Sequence, residues 1–384
     1  MDTIYDYLYW RGDLSFKQAK INEIDLGLFA TLSYLDFLPE LELKKDFESY
    51  LLGDLLNLMI EKGLLTPDNN CPFFKKQCFE ILPIIASKKR FSDIKVFAFS
   101  CNFEKDNDLQ FAAISFELPT GEVVVSFRGT DSTLLGWKED FMMSFKKSVA
   151  AQEYSLEYLL NILEICNNDL IIVGHSKGGN LALYSALKAP QIYHDRILSV
   201  YSFDGPGFNE KTLSDIEHSD IKTKMKTLVP QGSVIGILMQ HEEPIEIVYS
   251  NKGNGATQHM IFSWEVEIDR FKKMDQRNAT SLMFDKSVRN WLEKLDEEDI
   301  EKFIESIFDT TDSIGIEHVT DLKIRPLKTI YTLLNTYAIN NVENRKLMEK
   351  IIGSLMSSMK EVTSEEYKNK KDSLLAQIKR PRKK

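Results

Sequence analysis

The residues whose types and spacing could do chemistry lie at Gly174-His175-Ser176-Lys177-Gly178, a Gly-x-Ser-x-Gly run. It follows the wholly apolar Leu170-Ile171-Ile172-Val173 and leads into Gly179-Asn180-Leu181-Ala182. A serine on a tight strand-to-helix turn lifts its hydroxyl clear of a sheet, and flanking glycines permit the close packing such a turn needs. The following helix offers free N–H groups and the positive end of its dipole to a developing oxyanion. The plain alternative is a helix-capping serine after a glycine turn. The apolar run before it and the helical run after it favour a nucleophile at Ser176.

A second element fits the same chemistry. Val123-Val124-Val125-Ser126-Phe127 reads as a strand that ends in Arg128-Gly129-Thr130-Asp131. An oxyanion hole of this kind pairs the N–H after the nucleophile, here that of Lys177, with one from an earlier strand–helix loop. Thr130 is placed to supply the second, with its hydroxyl as a further donor; an ordinary polar turn is the alternative. A general base must be a histidine. His175 adjoins the serine, and neighbouring side chains diverge. His194 precedes any plausible acid, His218 falls in a charged segment, His241 follows an apolar one, and His318 lies in the late helical region. His259 follows the polar loop Asn251–Thr257 and precedes Ile261-Phe262-Ser263-Trp264, which makes it the best candidate.

The elements that must position these groups alternate. Residues 1–90 read as a helical region packed on the core, with apolar stripes at Ile24–Phe37 and Phe47–Met59. From Ile94 the period changes to two: strands at Ile94–Ser100, Phe111–Phe116 and Val123–Phe127, the last two joined by a Pro119-Thr120-Gly121-Glu122 turn. Helices at Leu134–Phe145 and Tyr154–Ile165, strand Leu170–Val173, helix Leu181–Leu187 and strand Ile197–Phe203 follow. A charged helix at Glu210–Met225 and strands at Thr227–Val229 and Ile245–Tyr249 complete the order. This alternation predicts a doubly wound, mostly parallel sheet at 91–267 with helical N- and C-terminal additions. After Glu267 the strands are expected to stop. Residues 268–367 read as helical, including Val288–Leu295 and Leu347–Met359, and 368–384 as a basic, disordered tail.

Composition bounds the function. The 384 residues carry a formal net charge of −10, which argues against a general nucleic-acid binder. The four cysteines, Cys71, Cys78, Cys101 and Cys166, form no CxxC pair and no zinc spacing, and read as buried or half-buried thiols of a reducing compartment. The first residues have neither a basic nor an apolar region of a signal peptide, and no apolar stretch is long enough to span a bilayer. Cytoplasmic placement, with no metal and no cofactor, is the expectation. Arg11-Gly12-Asp13 reads as a turn. The basic tail ending Lys379-Arg380-Pro381-Arg382-Lys383-Lys384 could touch anionic lipid, the plain alternative being a solvated terminus.

Phe127-Arg128-Gly129-Thr130, then Trp137 and Asp140, then Gly174-His175-Ser176-Lys177-Gly178-Gly179, resemble the class 3 lipase branch of the α/β-hydrolases. Trp10–Phe16, Phe203–Phe208 and Gln258-His259 bring the chain closer to the bacterial Mbeg-like family, a likeness spanning most of Tyr5 to Lys323. The resemblance implies an α/β-hydrolase fold and an ester or lipidic ester substrate, with His259 in the late loop before a tryptophan. It also implies an acid in Leu228–Gly236, where Ser233 stands near the expected position and no aspartate is present. Asp204, at the end of Val200–Phe203 and before Gly205-Pro206-Gly207, is the substitute. Two other readings stay open: a turn-stabilising role for Asp204, and an acid-free site in which Ser233 or a backbone group orients His259. The function classes to be separated are an esterase or lipase-like hydrolase, a thioesterase or amidase using the same serine, and a hydrolase-fold binding module.

Overall fold

A computed structural model describes residues 2–36, 49–64, 73–104, 108–131, 133–214, 220–253, 255–292, 294–313 and, with gaps at 352 and 355, 350–362. Leu347, Cys71, His218, His318, Phe47 and the basic tail 368–384 lie outside the described residues.

The chain begins with helices α1 (Ile4–Arg11) and α2 (Glu23–Leu32), then β1 (Tyr50–Leu51), α3 (Leu52–Glu61), α4 (Phe73–Ala86) and α5 (Lys89–Ser92). Three strands follow: β2 (Lys95–Glu104), β3 (Leu109–Glu117) and β4 (Val123–Phe127). Then come α6 (Leu134–Met142), α7 (Ala150–Ile165), β5 (Leu170–His175), α8 (Lys177–Lys188), β6 (Ile197–Phe203), α9 (Glu210–Ser214), β7 (Met225–Pro230) and β8 (Ile245–Val248). Three two-residue strands, β9 (Val266–Glu267), β10 (Arg270–Phe271) and β11 (Lys273–Met274), precede α10 (Ala279–Leu292) and α11 (Glu297–Ser313).

Among the described residues the main sheet has nine strands in the order β1-β2-β3-β4-β5-β6-β7-β8-β11. Strands β4 to β8 are parallel, and antiparallel strands flank them on both sides. The two-residue period of the central strands sorts their side chains between two cores. Val124, Ile171 and Val173 pack with α1, α2 and Trp264 on one face, while Val123, Val125, Leu170 and Ile172 pack with α7 and α8 on the other. Burial on both faces explains why β5 is an unbroken apolar run. The N-terminal helices cover the first of these faces. This is an α/β-hydrolase fold.

Four expectations change. Tyr50 and Leu51 are extended rather than helical, pairing with Val96 and Lys95 at the sheet edge. Glu210–Met225 is not one helix: α9 ends at Ser214, a 3₁₀ turn spans Asp220–Lys224, and Met225 opens β7 opposite Val200. The buried parallel ladder there outweighs a helix-like composition. Strands do not stop at Glu267, since β11 pairs with β8 at Lys273↔Val248. Two-residue strands are too short to show a period. Cys101 is exposed, on an outward position of β2, whereas Cys78 and Cys166 are buried.

Helix α2 is fixed by buried charge. Asn22 caps it, its side-chain oxygen accepting from the Ile24 and Asp25 N–H groups, while Asp25 reaches back to the Asn22 N–H. The Asp25 carboxylate also accepts from Tyr7 Oη at 2.8 Å and from Arg90 Nε at 2.8 Å and Nη2 at 2.5 Å. Arg90 in turn donates to the Leu14, Ala19 and Lys20 carbonyls and lies over the Phe16 ring. Gly12 of the Arg11-Gly12-Asp13 turn caps α1, donating to Leu8 O at 3.2 Å. Both Asp25 and Arg90 side chains are fully buried. Asp25→Ala would leave the guanidinium buried and unpaired, and should cost about 3–5 kcal/mol, read as a lowered urea midpoint. A midpoint within experimental error of the parent's would refute this account of how α2 is anchored.

Met1–Arg277 form one compact unit and the described residues from Asn278 onward a second. Within the second, the Trp291 indole donates to the Ile351 carbonyl at 3.1 Å. No helix among the described residues is long and apolar enough to cross a membrane.

Candidate active site

From Leu170 to Ala186 every residue is buried except Ser176. The serine stands between β5 and the first residue of α8 with φ 60° and ψ −132°, a conformation that side chains rarely adopt. Close approach enforces the turn. A Cβ at Gly174 would lie 2.0 Å from Gly178 O, and one at Gly178 2.2 Å from Phe127 O. The turn is tied to the neighbouring strand by the Ser176 N–H, which donates to Phe203 O at 3.0 Å.

The carboxylate of Asp204 is the residue that meets His259. Asp204 follows β6 directly, in a left-handed conformation (φ 50°), with its N–H donating to Leu228 O. Its Oδ2 lies 2.6 Å from His259 Nδ1, and its Oδ1 accepts from the Ser233 hydroxyl at 2.6 Å and the Gly236 N–H at 3.2 Å. Ser233 therefore adjoins Asp204, so the two candidates for orienting the histidine form one hydrogen-bonded chain. Asp204 is completely buried and His259 partly exposed, with Nδ1 turned to the carboxylate and Nε2 to the other side of the ring. The His259 loop is clamped from within. Gln258 accepts from the Gly232 N–H, donates to the Lys252 and Gly253 carbonyls, and receives the Trp264 indole N–H on its own carbonyl at 2.8 Å.

Lys177 follows the serine directly, and Thr130 follows Gly129, which packs on it. Gly129 packs so close that a Cβ there would sit 3.0 Å from Ser176 Cβ, which brings the β4–α6 loop against the elbow. The Thr130 hydroxyl lies 2.6 and 2.8 Å from the two Asp140 oxygens. Burial, together with the charge of Glu139, raises the Asp140 carboxyl to about 6, against the opposing pull of Lys177, the Thr130 hydroxyl and His259. The Lys177 N–H opens α8 and so has no acceptor within the helix. Its side chain is buried, donating to Gln110 O at 2.9 Å and Glu139 Oε2 at 2.8 Å.

Of the other histidines, His194 bonds the Ala189 carbonyl and His241 the Glu243 carboxylate. His175 stacks on Phe74 and lies 4.5 Å from His259, centroid to centroid. Sequence reasoning gave no role to Tyr34, Glu139, Gln258 or the Lys177 side chain. Tyr34 is 141 residues from the His175 ring that it touches, and no spacing rule connects them. Among the described residues no group of three or more His, Cys, Asp or Glu is arranged to hold a metal ion.

Solved structures similar to this chain include lipase II from Rhizopus niveus, at 15% identity over 60% of this chain and 82% of that one, with a TM-score of 0.35. The Rhizomucor miehei lipase propeptide complex is 14% identical over 59% and 68%, with a TM-score of 0.33. Lip2 lipase from Yarrowia lipolytica is 12% identical over 59% and 80%, with a TM-score of 0.31. No curated protein sequence matches the chain. The Mbeg1-like family matches residues 85–309. That segment is more than half of the chain and holds β2 to β8, Ser176, Asp204 and His259, so the protein belongs to the Mbeg1-like family.

Proposed function

We propose that the chain is a serine hydrolase that cleaves an ester through an acyl-enzyme. The observation that carries this reading is the 2.6 Å contact between His259 Nδ1 and a fully buried Asp204, together with a half-buried Ser176 on a strained elbow. In this mechanism His259 Nε2 takes the Ser176 proton as Oγ attacks the acyl carbonyl. Asp204 holds the proton on Nδ1 and balances the imidazolium. The Lys177 and Thr130 N–H groups receive the oxyanion. Collapse of the tetrahedral adduct breaks the acyl–oxygen bond, His259 passes its proton to the leaving alcohol, and water reverses the sequence to free the acid.

A purified sample should hydrolyse a short p-nitrophenyl ester and lose that activity on treatment with a fluorophosphonate. Faster turnover of a matched thioester or anilide would move the assignment to the thioesterase or amidase reading, and absence of both turnover and inhibition to a binding module.

The Thr130 hydroxyl has one proton to give. While Asp140 is ionised its carboxylate takes that proton, and only the Thr130 N–H faces the oxyanion. Once Asp140 is protonated it can donate to Thr130 Oγ1, freeing the hydroxyl proton. The loss caused by Thr130→Val should therefore lie well below the 10²–10³ of a full oxyanion donor at pH 8, roughly, and grow as pH falls through about 6. The measurement is the kcat ratio of parent to variant, taken at each pH. A ratio independent of pH would exclude this switch.

A further inference from the structure

Between the base and the oxyanion loop lies a set of buried polar contacts that the mechanism above does not use. His175 is buried, with Nε2 2.8 Å from the His259 carbonyl oxygen and Nδ1 3.0 Å from Tyr34 Oη. A carbonyl only accepts, so Nε2 carries the ring proton. A neutral imidazole has one N–H and one bare nitrogen. Nδ1 is then bare and accepts the Tyr34 O–H. Burial and the adjacent His259 hold the His175 pKa well below the ordinary value, so the ring stays neutral. Gly129 packs against the same phenol oxygen, so closely that a Cβ there would lie 2.1 Å from it. A longer contact, 3.4 Å from Tyr34 Oη to His175 O, competes for the phenol proton, but taking it would leave Nδ1 bare against an oxygen lone pair. Phe74 packs against both rings, stacked on His175 at 4.8 Å and edge-on to Tyr34 at 4.7 Å, so neither can turn away.

We infer that Tyr34 and His175 are positioning residues for hydrolysis: a one-way hydrogen-bond chain runs from the Tyr34 hydroxyl, packed against Gly129 of the oxyanion loop, through the His175 ring to the His259 carbonyl, fixing the oxyanion loop and the base relative to each other. This rests on the serine hydrolase reading. Each link has one permitted direction, because the His259 carbonyl can only accept, which leaves the neutral His175 ring one bare nitrogen to take the Tyr34 O–H. The chain passes beside Ser176, and it recruits α2's C-terminal turn, a part of the chain that precedes the family match at residue 85. Neither residue touches the reacting atoms. Their effect is to hold the main chain of two groups that do.

Two measurements on the full chain test this. Long-range proton–nitrogen spectra of the histidine rings should report His175 as a neutral Nε2–H tautomer at about pH 7, with the resonance of the bare Nδ1 displaced in Tyr34→Phe, where that nitrogen loses its donor. Steady-state ester hydrolysis by Tyr34→Phe should show kcat lowered about tenfold with KM unchanged, the scale of one buried hydrogen bond. A merely structural tyrosine would lower the melting temperature and leave the Nδ1 resonance and kcat alone. An Nδ1–H tautomer in the parent protein, or a Tyr34→Phe variant with parental kcat, would overturn the inference. The tautomer is read without any substrate, so a parent protein that fails to react with fluorophosphonate while keeping the Nε2–H form would defeat the hydrolase reading and, with it, the catalytic purpose of the chain, whereas an active parent with the other tautomer would defeat the chain alone.

Discussion

Ser176→Ala should remove ester hydrolysis almost completely, by about 10⁶ in kcat if the triad behaves as a unit. The expectation follows from the elbow. Ser176 is the one residue between Leu170 and Ala186 that is not buried, and its backbone is held at φ 60° by packing that the side chain does not supply. Such a conformation costs about 1–3 kcal/mol and is kept only where surroundings over-determine it. The substitution removes Oγ while leaving the close contacts of Gly174 and Gly178 untouched, so stability should change little. A residual rate near that of the parent would mean that another group performs the attack. Loss of rate accompanied by unfolding would be separated by far-ultraviolet circular dichroism.

Asp204→Asn should lower kcat by about 10⁴ with the fold intact. Asparagine tolerates the left-handed backbone at this position (φ 50°). The direction of the new amide is dictated by its neighbours. Oδ1 accepts the Ser233 O–H at 2.6 Å and shares the Gly236 N–H with Ser233 Oγ, so the asparagine oxygen keeps both donors by staying there, with its NH₂ facing His259 Nδ1. That forces the proton onto Nε2, and the ring can no longer accept from Ser176. Ser233→Ala removes a hydrogen bond to Asp204 without altering the tautomer, and should cost much less. If Ser233→Ala proved the more damaging change, the orienting role would have to move from Asp204 to Ser233.

The sequence carried the central geometry unevenly. Leu170–Val173 followed by glycine, serine and two glycines is legible because burial on both faces and a sharp turn each leave a local signature. The strands β9, β10 and β11 are not, since two residues cannot show a period. Asp204 could be found as a polar residue at the end of an apolar strand, yet its competition with Ser233 could not be resolved from spacing. Adjacent strands β6 and β7 bring the two together at 2.6 Å, a contact across 29 positions. Asp140 stood in a recognisable pattern, but its pairing with Thr130 depends on the pitch of α6. Tyr34 illustrates the limit. It sits in an apolar stripe that reads as core, and only the packing of α2 across β4 and β5 carries its hydroxyl to His175.

The central claim, that Ser176 is a nucleophile activated by its surroundings, is tested most directly by intact mass measurement after brief exposure to a fluorophosphonate. The account predicts a single added phosphonyl group, located on the peptide containing Ser176, that is absent from Ser176→Ala and formed far more slowly by Asp204→Asn. An unmodified parent protein, or a label that persists in Ser176→Ala, would contradict it.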